Sequence, residues 1–125
     1  MDKKIIHTEK SPRAIGPYSQ GNMAGGFLFT SGQLPINPET GLVPSSIEDQ
    51  TKQVLDNLKA IVEEAGGTME QVVKCTVYIV DMNDFAVVNE IYATYFPENP
   101  PARATVEISA LAKNALVEID AIAAF

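Results

Sequence analysis

The chain has 125 residues, 46% hydrophobic and 20% charged, and nine Lys and Arg against sixteen Asp and Glu give a formal net charge of −7. That size and composition suit one globular domain, residues 1–125, with a real hydrophobic core, and they exclude a disordered chain. The acidic balance and the lack of any basic cluster argue against nucleic acid and against an anionic membrane surface as partners.

The first ten residues, MDKKIIHTEK, show no secretory core and no apolar run reaches membrane-spanning length, so a cytoplasmic location is expected. The N-terminal third is rich in Gly and Pro. It holds two short strands, near Tyr18–Ala24 and Phe27–Gln33, joined by a turn at Gly25–Gly26. PINPETGLVPSS is loop, and the clearest helix follows it. Ser45 with Glu48 fits a capping box, and Ser46 with Asp49 offers a weaker one. Ile47, Val54, Leu55, Leu58, Ile61, Val62 and Ala65 recur at the spacing of one buried stripe, and Gly66 and Gly67 end the helix.

VVKCTVYIV, Val72 to Val80, reads as a strand with Val73, Cys75, Val77 and Ile79 on one face and Lys74, Thr76 and Tyr78 on the other. A second helix begins after Asp81 or Asn83 and stops near Phe96, before Pro97. Its core stripe is Phe85, Val88, Tyr92 and Phe96, with Asn89 beside it. Two strands close the chain, Arg103 to about Ser109 and Leu116 to about Ala124. The order ββαβαββ predicts an α+β fold, one sheet with two helices packed on one face.

Alternation then sorts the last strands. Ala104, Val106 and Ile108 share a face with the helices, as do Val117, Ile119 and Ala121. The uncovered face is expected to carry Lys74, Thr76, Tyr78, Arg103, Thr105, Glu107, Glu118 and Asp120. Such a face is either a wet sheet surface or the seam of a cyclic homo-oligomer. One His and one Cys cannot build a His/Cys zinc site within a chain, and no carboxylate cluster has hard-cation spacing, so neither metal nor cofactor is expected. Cys75, between Val73 and Val77, reads as a small buried hydrophobe rather than a nucleophile.

Four ordered blocks carry a family resemblance across the chain: AIGPYSQG at Ala14–Gly21, FTSGQLPINPETG at Phe29–Gly41, QTKQVLDNLKAIVEEAG at Gln50–Gly66, and PARATVEISAL with LVEIDAIA between Pro101 and Ala123. The sequence resembles the RidA (YjgF) family of enamine/imine deaminases. The resemblance implies a single mixed β-sheet of the trimeric chorismate-mutase type and a homotrimer with a pocket in each cleft between subunits. It implies hydrolysis of 2-iminopropanoate and 2-iminobutanoate to 2-keto acids and ammonia, with no metal or cofactor. By that resemblance Arg103 grips the substrate carboxylate and Glu118 activates water. Tyr18, Ser31, Gly32, Asn89 and Thr105 line the pocket. Many members carry Ser-Cys after the arginine, where this chain has Ala104-Thr105. The usual contact there is a backbone carbonyl, which threonine supplies equally, whereas thiol-based regulation at that position has no basis here.

The residue types suit that chemistry. An arginine fork holds a carboxylate through two parallel hydrogen bonds, which a lysine cannot do. A carboxylate beside water can take a proton and return it to a departing amine. The bland alternatives are a surface ion pair of Arg103 with Glu107 or Glu118, a partner for Glu118 in Lys74, and simple packing for Tyr18. A small-carboxylate binder without turnover is the alternative function. Translation inhibition and RNA cleavage have also been ascribed to the family.

Overall fold

In the computed structural model, which describes residues 2–125, six strands make one mixed sheet in the order β1-β2-β3-β6-β4-β5. The strands are β1 (Lys4–Ile6), β2 (Gly21–Ala24), β3 (Phe27–Thr30), β4 (Val72–Ile79), β5 (Ala102–Glu107) and β6 (Val117–Ala124). Two helices, α1 (Ile47–Glu64) and α2 (Phe85–Tyr95), cover one face. Neighbouring strands run antiparallel except β4 and β5, which are parallel and joined through α2. This is the α+β architecture expected from the element order.

Both ends of α1 follow from local chemistry. Ser46 is the N-cap, and its side chain accepts from the Asp49 N–H at 3.1 Å, so the second of the two candidate caps is used, through the serine half of the box alone. Glu48 and Asp49 in the first turn complement the positive end of the helix dipole. At the other end Gly66 takes φ +97°, and the Gly66 and Gly67 N–H groups donate back to Glu63 and Val62 at 3.0 Å each. That is a Schellman closure, which favours glycine because a left-handed residue is strained with a Cβ. Leu55, Leu58, Ile61 and Val62 of α1 pack fully buried against Leu28, Val77, Ile119 and Ala123 of the sheet. Each such large side chain contributes about 1.5–3 kcal/mol relative to exposure.

Buried amides anchor the irregular segments. The Gln20 side chain accepts from the Thr8 N–H at 2.7 Å and donates to the Thr8, Ser11 and Pro12 carbonyls, fixing the N-terminal arm. Asn57 donates to the Leu34 and Ile36 carbonyls at 3.0 Å each, and Gln50 donates to Pro44 O and accepts from Leu116 N. These groups hold the loops before and after Gly32, and each would be costly to leave unpaired.

Four expectations are corrected. β1 was not foreseen; three residues, only Ile6 of them buried, carry too little pattern to read as a strand. The first two strands are shorter than expected, and Gln33 meets Ile119 only through an isolated bridge. In β4 a bulge between Val72 and Lys74 turns Val72 into the core and leaves Val73 44% exposed. In β5 the two faces are exchanged. Arg103, Thr105 and Glu107 are in register with Cys75, Val77 and Ile79, so they point to the helix side, while Ala104 and Val106 sit with Thr76 and Tyr78 on the open face. The eightfold set assigned to the open face therefore loses Arg103, Thr105 and Glu107.

Candidate functional site

Two separate constellations hold the residues singled out by sequence. The first is built on β5 and α2. β5 is the last strand of the sheet, and α2 supplies the side chains that meet Arg103 on its helix-facing side. Asn89 lies one turn from Phe85 and one from Tyr92, and all three face Arg103. Arg103 Nη1 donates to Asn89 Oδ1 at 2.7 Å, and the guanidinium carbon stands 5.5 Å from the Phe85 ring centre and 4.8 Å from that of Tyr92. Thr105, half-buried, follows Arg103 on the same face. A cavity of about 370 Å³ opens here, walled by Arg103, Asn89, Tyr92, Phe96, Pro100 and Pro101.

Among the described residues no carboxylate comes within ion-pair distance of Arg103; the ion pair found is His7 with Glu9, at 3.0 Å. Glu107 instead accepts from the Met82 N–H at 2.7 Å. The surface ion pair considered for Arg103 is therefore not formed in the chain. Cys75 lies beneath, fully buried, with its thiol pushed up to about 11 mainly by burial. A thiol held that way is protonated and inert at neutral pH, as its apolar setting suggested.

The second constellation is built on β6 and the end of β3. Glu118 points to the open face, opposite Tyr78 in register, and its carboxylate lies against the Gly32 backbone. A Cβ on Gly32 would stand 2.7 Å from Glu118 Oε2, so glycine gives the carboxylate the room to lie against the strand end. Burial, and secondarily the negative charge of Asp120, raises the Glu118 carboxyl above the ordinary glutamate range. The Tyr78 hydroxyl donates to Asp120 Oδ2 at 3.2 Å. Ser31 donates its N–H to the Gln20 carbonyl and its hydroxyl to the Ser19 carbonyl, locking the strand end. The exposed Tyr18 accepts from the Ile15 N–H at 3.3 Å, and Tyr18, Gly32, Arg13 and Lys113 line a cavity of about 310 Å³.

The two sets do not meet within one chain. Glu118 pairs with Tyr78 and Arg103 with Cys75; Tyr78 and Cys75 are an odd number of residues apart on one strand, so their side chains leave by opposite faces. Tyr18, Ser31, Gly32 and Glu118 thus gather on one side, and Arg103, Asn89 and Thr105 on the other. A groove of about 550 Å³, lined by Lys52, Lys59 and Glu63 of α1 and Thr94 and Tyr95 of α2, carries none of these residues. The apolar stripe of α2 marks Phe85 and Tyr92 as core alone; their spacing from Asn89 is the signal that they share its face. Among the described residues no helix is long and apolar enough to cross a membrane.

Comparison with known proteins agrees with these blocks. The family model described as endoribonuclease L-PSP matches residues 8–125. A RutC family protein of Pyrococcus abyssi is 55% identical over 124 residues, covering 98% of each chain. A protein of Escherichia coli K12 that carries the provisional name reactive intermediate deaminase TdcF is 47% identical over 124 residues, 97% of this chain and 96% of its own. The crystal structure of E. coli TdcF with bound serine superposes with a TM-score of 0.95 at 45% identity, covering 98% of each chain. The chain belongs to the endoribonuclease L-PSP family, the RidA/YjgF group, whose named members include reactive intermediate deaminases.

Proposed function

We propose that the protein hydrolyses reactive 2-imino acids, such as 2-iminopropanoate and 2-iminobutanoate, to 2-keto acids and ammonia, in clefts formed between copies of the chain in a homotrimer. The observation that carries this reading is a guanidinium held in place by neutral partners alone. Asn89 and two aromatic rings orient Arg103 and leave its charge unmatched, which suits an anion arriving from outside. The family's named deaminases and the serine bound to TdcF, an α-amino acid with its own carboxylate, support the substrate class.

The chemistry then follows. Arg103 takes the imino-acid carboxylate through two parallel hydrogen bonds, with Asn89 and the β5 edge at Thr105 beside it. Glu118 of a neighbouring copy accepts a proton as water adds to the carbon of the protonated imine. The C–O bond forms, the C=N π pair moves to nitrogen, and a neutral carbinolamine results. Glu118 gives that proton to the amine, the C–N bond breaks as a hydroxyl lone pair forms the C=O bond, ammonia leaves, and the hydroxyl proton passes back to the Glu118 carboxylate and on to solvent. A carboxyl raised toward the working pH suits both halves of that exchange. Tyr18, Ser31 and Gly32 wall the Glu118 side. The chain's own groups supply every proton transfer, so no bound cofactor enters the scheme.

Since Arg103 and Glu118 leave the sheet by opposite faces, each cleft takes its cation from one chain and its carboxylate from another. Co-expression of Arg103→Ala and Glu118→Gln chains tests this. Each variant alone is inactive in a coupled threonine-dehydratase assay. Random assembly in equal amounts restores intact clefts with a frequency of one half times one half, about a quarter of wild-type activity. No recovery from a mixed, folded assembly rejects the shared cleft. An Arg103→Ala variant with full activity rejects the anchor.

The serine bound to TdcF also favours a second reading, a carboxylate binder without turnover. Glu118→Gln separates the two. Under the deaminase reading it loses turnover while calorimetry still detects 2-ketobutanoate binding. A binder shows no turnover even in the wild type. RNA cleavage draws no support from the site, since the single histidine, His7, lies far along the chain and is paired with Glu9.

A further inference from the structure

Phe85 and Tyr92 are not accounted for by the reaction, and their geometry is specific. They stand at the first and third of three successive steps along one face of α2, with Asn89 between them, and the Arg103 guanidinium lies across both rings at 5.5 Å and 4.8 Å. The Tyr92 ring is itself fixed. It is 4% exposed, and it packs on Phe96 with ring centres 4.7 Å apart. Phe85 is only partly buried, packed at the margin of the core. Asn89 binds one end of the guanidinium, and the two rings lie close against its carbon. An arginine on an edge strand, exposed and without an ion-pair partner, would otherwise sample many rotamers.

We infer that Phe85 and Tyr92 are positioning residues for substrate binding: they form an aromatic shelf that holds the Arg103 fork in the plane in which it receives a carboxylate. This rests on the deaminase reading for its effect on turnover, but not for its effect on the arginine itself. A cation over an aromatic face gains electrostatic attraction from the ring quadrupole, which an aliphatic side chain of similar bulk does not supply. The carboxylate is gripped alike in the ground state and the transition state. Loosening its anchor therefore raises KM and leaves kcat in place.

The test compares wild type, Phe85→Leu and Phe85→Tyr. Leucine keeps apolar bulk at a half-buried position, and tyrosine restores an aromatic face. Two readouts are taken from each folded protein: kcat and KM in the coupled dehydratase assay, and the Arg103 Nε–Hε resonance by NMR, which ring currents displace. For Phe85→Leu, KM is expected to rise about 2- to 5-fold with kcat unchanged, and the Arg103 resonance to move toward its free-arginine position. Phe85→Tyr is expected to recover both. A Phe85→Leu protein with wild-type KM and an unmoved Arg103 signal overturns the shelf. A wild-type protein that shows the displaced resonance but no turnover keeps the shelf and defeats the deaminase reading. An Arg103 resonance at the free-arginine position in the wild type defeats the shelf whatever the turnover.

Discussion

The Arg103 and Glu118 regions hold their charges in opposite ways. Arg103 is on an exposed edge strand, and its neighbours are an amide and two rings, which orient the cation without neutralising it. Glu118 is on an inner strand between β4 and β3, half-buried, with another carboxylate two residues along the same face. The first arrangement leaves a permanent charge unmatched, as the proposed anchor for an anion requires. The second disfavours the charged form of the carboxyl, as the proposed proton exchange requires. The sheet separates them by sending one to each face, so neither can quench the other inside the chain. A cation and an anion facing each other across one strand pair would form an internal ion pair and leave no site.

The largest effects test the carboxylate side. Glu118→Gln keeps the shape but removes the proposed proton acceptor, and turnover is expected to fall roughly 10²–10⁴-fold in the coupled assay. The same variant should be at least as stable as wild type at neutral pH. A carboxyl whose folded pKa is raised stabilises the fold only while protonated, below its unfolded value, and that contribution is lost as pH rises through the folded pKa. Thermal melts of the two proteins should therefore converge as the pH is lowered, and a variant that melts lower at neutral pH contradicts the raised pKa. Gly32→Ala sharpens the point. Its new Cβ would press on Glu118 Oε2 at 2.7 Å, the mobile end of a side chain, so the carboxylate moves while the backbone stays. A large loss of turnover with a melting temperature near wild type is expected; equal activity would mean that the carboxylate's place against Gly32 has no part in the reaction.

How the two regions could be read from sequence differs for a physical reason. The helices were legible because caps and a 3.6-residue stripe are local signals, and β6 was legible because Val117, Ile119 and Ala121 alternate cleanly with Glu118 and Asp120. β5 was not. Its alternation correctly grouped Arg103, Thr105 and Glu107, but alternation tells which residues share a face and not which face the helices cover. The rule that apolar residues face the helices failed because the open face is apolar too: Phe27, Phe29 and Val106 are 44%, 46% and 40% exposed on it. Val72-Val73 hid the bulge in the same way, since two adjacent valines give no phase. The family resemblance names candidate site residues, but only the register separates them into two sets.

A smaller effect concerns the neighbour of Glu118. On the open face Glu118 is flanked by Asp120 on its own strand and by Tyr78 directly opposite on β4, and Asp120 is the charge that adds to burial in raising its pKa. Asp120→Asn removes that repulsion, so the pKa falls and the acidic limb of the pH profile of kcat/KM should move to lower pH. Movement to higher pH, or none, would detach Asp120 from the tuning of the base.

The smallest effect falls beneath the arginine. The Tyr92 hydroxyl is buried and has no hydrogen-bond partner among the described residues; the Cys75 thiol nearby makes no bond of good geometry with it. Burial drives the phenol strongly toward its neutral form, so it takes no part in proton transfer. A buried polar atom left unpaired costs desolvation with nothing in return, while the ring beneath Arg103 retains its face without the oxygen. Tyr92→Phe should thus leave KM unchanged and stabilise the fold by up to about 1 kcal/mol in chemical denaturation. Destabilisation of that size would mean that the hydroxyl does bond to Cys75, and the ring's place under Arg103 would then depend on a polar contact in the core rather than on packing against Phe96.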